Sequence, residues 1–286
     1  MWTCPVCKSE KNATLCPNCG LDESRDYRNY RFLGMLSEAN RKILKIKPLE
    51  DYNNILMKGS HKMNYVFGRQ LYRQLIKTIH FQNHKKNIGA NAWDVSEKQD
   101  GSVLAWTQKV GDERLRKQAL YLAADGMIKA NRDCSWLFYE YDNLEEIFGL
   151  EFLQTDQTET MHNMFCKCKK LRSLDLSGFD TSKVTNMEYM FACCENLQNL
   201  DVSHFDTSQV TNMRSMFAWC KNLQNLDVRS FNTSLVTDMK DMFLGCENLQ
   251  NLDVSHFHIG NVKNRYTSLK KYIGLPRRRD DRYYYW

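Results

Sequence analysis

Long apolar runs and proline are both scarce in this sequence. It has no stretch of about 18 uninterrupted apolar residues, so it predicts no membrane-spanning helix. With 4 prolines and 13 glycines among 286 residues, a long flexible linker is not expected either. The first residues, Met-Trp-Thr-Cys-Pro, lack the basic segment followed by an apolar one that marks a secretory signal peptide. We therefore expect a cytoplasmic protein.

Charge of one sign dominates only in parts of the chain. The net charge of +6 divides into +4 for residues 1–65, +2 for 66–145, −6 for 146–257 and +6 for 258–286. A basic front, an acidic middle and a basic tail do not form one nucleic-acid-binding face, so nucleic acid is not the favoured partner. Apolar residues make up 42% of the chain, which is enough for a packed core.

The main positive feature is a gapless repeat of 26 residues over residues 171–257. Several apolar columns keep this period: Leu171, Leu197, Leu223 and Leu249; Leu174, Leu200, Leu226 and Leu252; Phe179, Phe205, Phe231 and Phe257; Cys168, Cys194, Cys220 and Cys246. Met-Phe pairs at 164–165, 190–191, 216–217 and 242–243 follow the same period. Units of this kind bury their apolar faces only by stacking on one another, so the period predicts a solenoid.

Each unit shows two local patterns. Leu200 and Val202 alternate as they would on one face of a strand. Met213, Met216, Phe217 and Cys220 are spaced i, i+3, i+4 and i+7, as on one face of a short helix, and Thr211 precedes them as a candidate N-cap. The predicted fold class is therefore an α/β repeat solenoid of the leucine-rich-repeat type. Each unit has one strand and one short helix, and a β-rich lead-in region and an N-terminal zinc ribbon precede the repeats.

The units "LDLSGFDTSKVTNMEYMFACCENLQN" and "LDVSHFDTSQVTNMRSMFAWCKNLQN" resemble the BspA-like leucine-rich-repeat surface proteins of bacteria. The segments 92–106 and 120–147 resemble the lead-in region of that family, so the resemblance covers roughly 66–272. One departure is Phe179 with its equivalents, at the position where leucine-rich repeats usually carry an Asn or Cys ladder. The resemblance implies protein or glycan recognition and adhesion, and a cell-surface location as the alternative to the cytoplasm.

Two C-x-x-C pairs stand at the N-terminus, formed by Cys4 and Cys7 and by Cys16 and Cys19. Four thiolates in two such turns can enclose Zn²⁺ in a tetrahedron with no open position, which predicts a structural zinc site. The competing interpretation is two disulfides in an exported protein. An odd total of 11 cysteines and the paired metal-type spacing favour zinc and a reducing compartment.

These features divide the chain into five predicted regions. They are a zinc ribbon (1–20), a helical connector (21–65), a lead-in or N-capping region (66–145), the leucine-rich-repeat solenoid (146–272) and a basic, aromatic tail (273–286).

Two features of the repeats are candidate binding residues. Asp175, Asp201, Asp227 and Asp253 share one column and are predicted to point away from the leucines. At a stacking distance of about 4.8 Å, neighbouring carboxylates repel by about 1 kcal/mol even in water, so something should offset their charge. The alternatives are local hydrogen bonds to Ser or backbone N–H groups, and an external cation or basic partner. Trp219 lies in a column with Cys193 and Gly245 and is predicted to face outward, as a contact residue would.

The sequence contains no P-loop, nucleophile elbow or dinucleotide-binding motif, so no enzyme is expected. The predicted function is non-enzymatic recognition of a protein or glycan by the solenoid. The alternative is an intracellular scaffold or regulator whose zinc ribbon contacts nucleic acid or a protein partner.

Overall fold

The computed structural model describes residues 2–3, 10–11, 54–61, 65–67, 69–111 and 117–262. The strands are β1 (Trp2–Thr3), β2 (Glu10–Lys11), β3 (Tyr65–Val66), β4 (Arg69–Gln70), β5 (Ile76–Gln82), β6 (Trp93–Asp94), β7 (Val103–Lys109), β8 (Gln118–Ala124), β9 (Ile128–Lys129), β10 (Glu146–Phe148) and β11 (Leu153–Gln154). Helical structure in this part of the chain is limited to two 3-10 turns, Arg73–Leu75 and Leu150–Phe152. The described chain is therefore β-rich and almost free of helix.

The largest sheet has five strands in the order β10-β5-β8-β7-β6. β5 runs parallel to both β8 and β10, while β7 runs antiparallel to β6 and β8, so the sheet is mixed. Alternate side chains of a strand point to opposite faces, and one face carries Ile79, Ala105 and Leu120, all fully buried. These side chains belong to one hydrophobic cluster that continues into the repeats. The sheet therefore covers one end of the core that the repeats build.

The repeats form a stack of parallel coils, each 26 residues long. Isolated bridges join Thr160 to Asn186, Asn186 to Asn212, and Asn212 to Asp238, always in the parallel sense. We call residues 160–262 the repeat stack, and each 26-residue turn of it a coil. The spacing of the bridges equals the period of the sequence, so residues of one column lie above one another.

The predicted fold class is wrong, because the coils contain no α-helix. In an α-helix every N–H bonds to the carbonyl four residues earlier. Here the N–H groups of alternate residues donate to the next coil instead: Met187 to Asn212, Tyr189 to Arg214, Phe191 to Met216 and Cys193 to Ala218, at 2.7 to 2.9 Å. The N–H groups of the other residues, Met190, Ala192 and Cys194, each donate to the carbonyl three residues earlier in the chain. The segment is a chain of β-turns.

The backbone angles and the predicted cap agree with this correction. Tyr189 and Cys193 have φ angles of 54° and 59°, in the left-handed region that a helix interior does not use. Thr211 caps no helix, because its N–H and Oγ1 both donate to the carbonyl of Thr185, at 2.9 and 3.2 Å. The predicted strand is reduced to a single bridge between Asn199 and Asn225. The structure is thus a mixed sheet with turn-built coils, and not an α/β solenoid of the leucine-rich-repeat type.

Aromatic and thiol columns fill the centre of the stack. The rings of Phe165, Phe191, Phe217 and Phe243 lie 5.6 to 5.7 Å apart and within 8° of parallel. The thiols of Cys194, Cys220 and Cys246 donate to the carbonyls of Phe165, Phe191 and Phe217, at 3.0 to 3.2 Å. Each of these buried carbonyl groups thereby gains an additional hydrogen-bond donor. The columns that set the sequence period are therefore the columns that hold the coils together.

Candidate recognition surface

One side of the stack presents the same polar residues from coil to coil. Within the extended segment, Leu200 and Val202 are buried, so Asp201 between them points outward. We define the polar face by three exposed columns: Gln198, Gln224 and Gln250; Asn199, Asn225 and Asn251; and the aspartate row Asp175, Asp201, Asp227 and Asp253. Carboxylates and amides on this face recur at the coil spacing, which is about 4.8 Å for paired extended chains.

Each carboxylate of the aspartate row bonds to its own coil. Its Oδ1 accepts the backbone N–H of the residue two positions later, at 2.9 to 3.0 Å in all four coils: Ser177, Ser203, Arg229 and Ser255. This is the Asx-turn, in which an Asp side chain replaces a backbone acceptor. Local hydrogen bonding, one of the two alternatives raised by the sequence, is therefore confirmed. A binding role for the row stays a prediction.

The same bonds lower the pKa values of the aspartate row. Hydrogen bonds from Ser177, Ser203 and Ser255 lower the pKa of Asp175, Asp201 and Asp253 respectively. The side chain of Arg229 lowers the pKa of Asp227 to about 2, because its guanidinium donates to both carboxylate oxygens. These carboxylates therefore stay ionised to lower pH than an ordinary Asp side chain does, and Arg229 offsets the charge of Asp227.

We expect the double variant Asp201→Asn, Asp227→Asn to melt at a lower temperature than the wild type at neutral pH. In the wild type, hydrogen bonds to the charged carboxylates stabilise the folded chain. Because the folded pKa values of Asp201 and Asp227 lie below the ordinary value of 3.8, this stabilisation is complete above about pH 4. It is lost as the pH falls through the folded values, about 2 for Asp227. The melting temperatures of the variant and the wild type should therefore converge as the pH falls from neutral to 2. The variant Glu195→Gln, Glu247→Gln makes the same charge change in another column and is the control; a higher melting temperature for the aspartate variant at neutral pH would contradict the prediction.

The sheet carries an aromatic row that the sequence analysis missed. Trp106, Tyr121, His80 and Phe148 are paired directly across β7, β8, β5 and β10. Their ring centroids are 5.2, 4.6 and 4.8 Å apart, and the rings are within 20° of parallel. Trp106 is buried, whereas Phe148 at the edge strand is 45% exposed. The four residues come from four strands, so no local pattern in the sequence could reveal the row.

Trp219 is half-buried rather than free on the surface. It packs with Tyr189 and Leu244 around the small buried side chains of Ala192 and Ala218. The backbone N–H of Trp219 donates to the carbonyl of Leu244 at 2.6 Å. A Cβ placed on Gly245 would lie 2.5 Å from the Trp219 ring, so the ring covers that glycine. The exposed part of the ring leaves the predicted contact role open, and the buried part has a structural role.

The repeated cysteines behave as core residues, as their spacing predicts. Cys168, Cys194, Cys220 and Cys246 are buried. Burial raises the pKa of the Cys194 and Cys220 thiols well above the ordinary value, and that of Cys166 to about 12. A thiol needs a lowered pKa to act as a nucleophile, so these groups are poorly suited to covalent chemistry.

The predicted zinc ligands Cys4, Cys7, Cys16 and Cys19 lie outside the described residues. Near them the structure gives only the pairing of β1 with β2, in which Thr3 is opposite Glu10. Among the residues that are described, no group of three or more His, Cys, Asp or Glu side chains could hold a metal ion. The Zn²⁺ prediction therefore stays a prediction, which the metal content of the purified chain with and without Cys4→Ser would test.

Comparison with known proteins gives one family match. Residues 132–257 match a family model described as "Mycoplasma protein of unknown function, DUF285". No curated protein and no solved structure matches the chain at a significant level. The expected membership of the BspA-like leucine-rich-repeat surface proteins is therefore wrong, since the matching model is a different one and supports neither leucine-rich repeats nor a zinc ribbon. This match gives no information on location, so the cytoplasmic and the cell-surface locations both stay predictions.

Proposed function

We propose that this chain is a non-enzymatic binding protein that recognises a protein or glycan through the polar face of its repeat stack. The proposal rests on the exposed amide and carboxylate columns of the polar face. The packed core of the stack holds these columns at a regular spacing. Within the described residues, no helix is long and apolar enough to cross a membrane.

The chemistry of the face suits recognition. Amides both donate and accept hydrogen bonds, whereas an ionised carboxylate only accepts them. The Asx-turns fix each Asp side chain, so little side-chain freedom remains to be lost when a ligand binds. Because Asp201 uses Oδ1 for both of its bonds to Ser203, its Oδ2 points to no partner in the part of the chain that the structure describes.

The test is a binding screen of the full chain against a glycan array and a panel of folded proteins of different charge. We expect a ligand whose affinity falls about tenfold or more in the variant Asp201→Asn, Asp227→Asn, since hydrogen bonds to charged groups are the stronger ones. The variant Glu195→Gln, Glu247→Gln should bind as the wild type does. Equal weakening in both variants would indicate general charge attraction, and would contradict recognition by the polar face.

A further inference from the structure

The aromatic row of the five-stranded sheet ends in a ring with one free face. Phe148 stacks on His80, with the ring centroids 4.8 Å apart and the ring planes 20° from parallel. The row runs across the strands and β10 is the terminal strand of this sheet, so the second face of the Phe148 ring points away from β5. Phe148 is 45% exposed although His80 covers its first face. The second face is therefore accessible to a ligand.

Two contacts fix how residues 142–151 lie against residues 169–178 of the repeat stack. Lys169 Nζ lies 3.6 Å from a carboxylate oxygen of Asp142. A Cβ placed on Gly178 would lie 3.5 Å from the Glu151 Cα. The members of both pairs are 27 residues apart, so the two segments have the same length between these contacts. Residues that differ by 27 between the contacts therefore lie side by side.

The aromatic row thus continues into the aspartate row. Phe148 comes 27 residues before Asp175, the first residue of the aspartate row. Ile147 packs against the core and Leu174 is buried, so the residue that follows each of them faces outward. A Phe ring reaches further from the backbone than an Asp carboxylate does. The free ring face therefore stands above the Asp175 carboxylate, at the end of the polar face.

The chemistry of this junction matches an uncharged ligand with many hydroxyl groups. The ring presents a flat apolar surface. The Asp175 carboxylate accepts the Ser177 N–H at 3.0 Å, and a carboxylate has about four acceptor sites, so others remain for hydroxyl donors. Beyond it the polar face has more amides than carboxylates, and Arg229 offsets the charge of Asp227. Sugar rings have flat C–H faces, and their hydroxyls both donate and accept hydrogen bonds.

We propose that the ligand of the polar face is a neutral oligosaccharide, one ring of which stacks on the free face of Phe148 while its hydroxyls donate to Asp175. This assignment rests on the proposed function, since it names the ligand of the same face. The following sugar units lie over successive coils, where the amide and carboxylate columns repeat. A chain of similar units suits a surface that repeats at the coil spacing.

The first test measures the binding of uncharged sugars to the wild-type chain. Cellohexaose, maltohexaose, chitohexaose and mannohexaose are titrated separately by calorimetry, and a peptide of six lysines is the charged comparison. We expect at least one sugar to bind with a dissociation constant of about 1 mM or tighter, and the peptide to bind at least about tenfold more weakly. No saturable binding of any sugar up to about 10 mM would overturn the proposal, as would a lysine peptide that binds as tightly as the best sugar.

The second test assigns one sugar ring to Phe148. Phe148→Leu keeps an apolar side chain without the flat face, whereas Phe148→Tyr keeps the ring. For the best sugar we expect the dissociation constant to rise about tenfold in Phe148→Leu and to stay within about twofold in Phe148→Tyr. Leu235→Ala truncates another exposed apolar side chain, outside the polar face, and should bind as the wild type does. Unchanged sugar binding in Phe148→Leu would show that the ring takes no part.

The variant Asp201→Asn, Asp227→Asn separates the role of Phe148 from that of the polar face, and we expect it to weaken sugar binding as well. If it does so while Phe148→Leu does not, the polar face binds the sugar without the ring, and only the stacking assignment fails. If a protein binds through the polar face and no sugar binds, the proposed function stands and the oligosaccharide assignment fails. If only Phe148→Leu weakens sugar binding, the ring binds sugar alone, and recognition by the polar face fails.

Discussion

Removing residues 200–225, one complete coil, is expected to leave a folded and shorter protein, whereas removing residues 200–212 is expected to unfold the stack. After the longer deletion, the Met187 N–H meets the carbonyl of Asp238 in place of that of Asn212, since these positions share a column. The Phe191 ring likewise meets Phe243, which has the orientation of Phe217. Each coil contacts only its neighbours, so the loss of one unit shortens the stack without breaking it.

The shorter deletion brings unlike residues together. A loss of 13 residues places Ser230 where Phe217 stacked on Phe191, and Thr233 where Cys220 lay next to Cys194. Polar groups would then face an aromatic core, and buried groups without partners cost about 1 to 3 kcal/mol each. Repeated along the apolar columns of the stack, such costs are comparable to the total stability of an ordinary domain, about 5 to 15 kcal/mol.

Thermal melting followed by circular dichroism and by hydrogen exchange distinguishes the two deletions. The 26-residue deletion should keep a single cooperative transition and slow exchange of the inter-coil N–H groups. The 13-residue deletion should lose both. Equal cooperativity in the two variants would show that the coil is not the stacking unit.

The sequence predicted the period and the inward side chains correctly, but not the backbone that joins them. Met213, Met216, Phe217 and Cys220 are buried, as their spacing requires. The error was to take that spacing as helical, because successive β-turns also bring these positions to one side. Gly245 is a sequence signal for turns in this segment. It has a φ of 71° in the same column as Trp219 and Cys193, and all three are left-handed.

The candidate sites differ in how far the sequence could reveal them. The aspartate row follows from the period alone, and its local hydrogen bonds were one of the two alternatives that the sequence left open. The aromatic row requires Tyr121, His80 and Phe148 to meet, which depends on parallel pairing of β5 with β8 and β10. Parallel strands need long connections, so their partners cannot be read from local alternation.

Phe191→Ala is expected to produce the largest loss of stability of any single substitution discussed. The ring is fully buried and lies between Phe165 at 5.7 Å and Phe217 at 5.6 Å. Truncating a buried Phe to Ala costs about 3 to 5 kcal/mol, because apolar contacts are lost and a cavity remains. Stacked aromatic pairs add about 0.5 to 1.5 kcal/mol each, and this substitution removes two of them.

The matched control is Leu235→Ala in the same stack. Leu235 is 48% exposed, so its truncation should change the free energy of unfolding by about 0.5 kcal/mol or less. Urea denaturation measures both variants, and an unchanged dependence on denaturant would show that they unfold from the same compact state. If Phe191→Ala costs no more than Leu235→Ala, the aromatic column does not hold the coils together. The stability of the stack would then have to come from the hydrogen bonds between coils, which this substitution leaves in place.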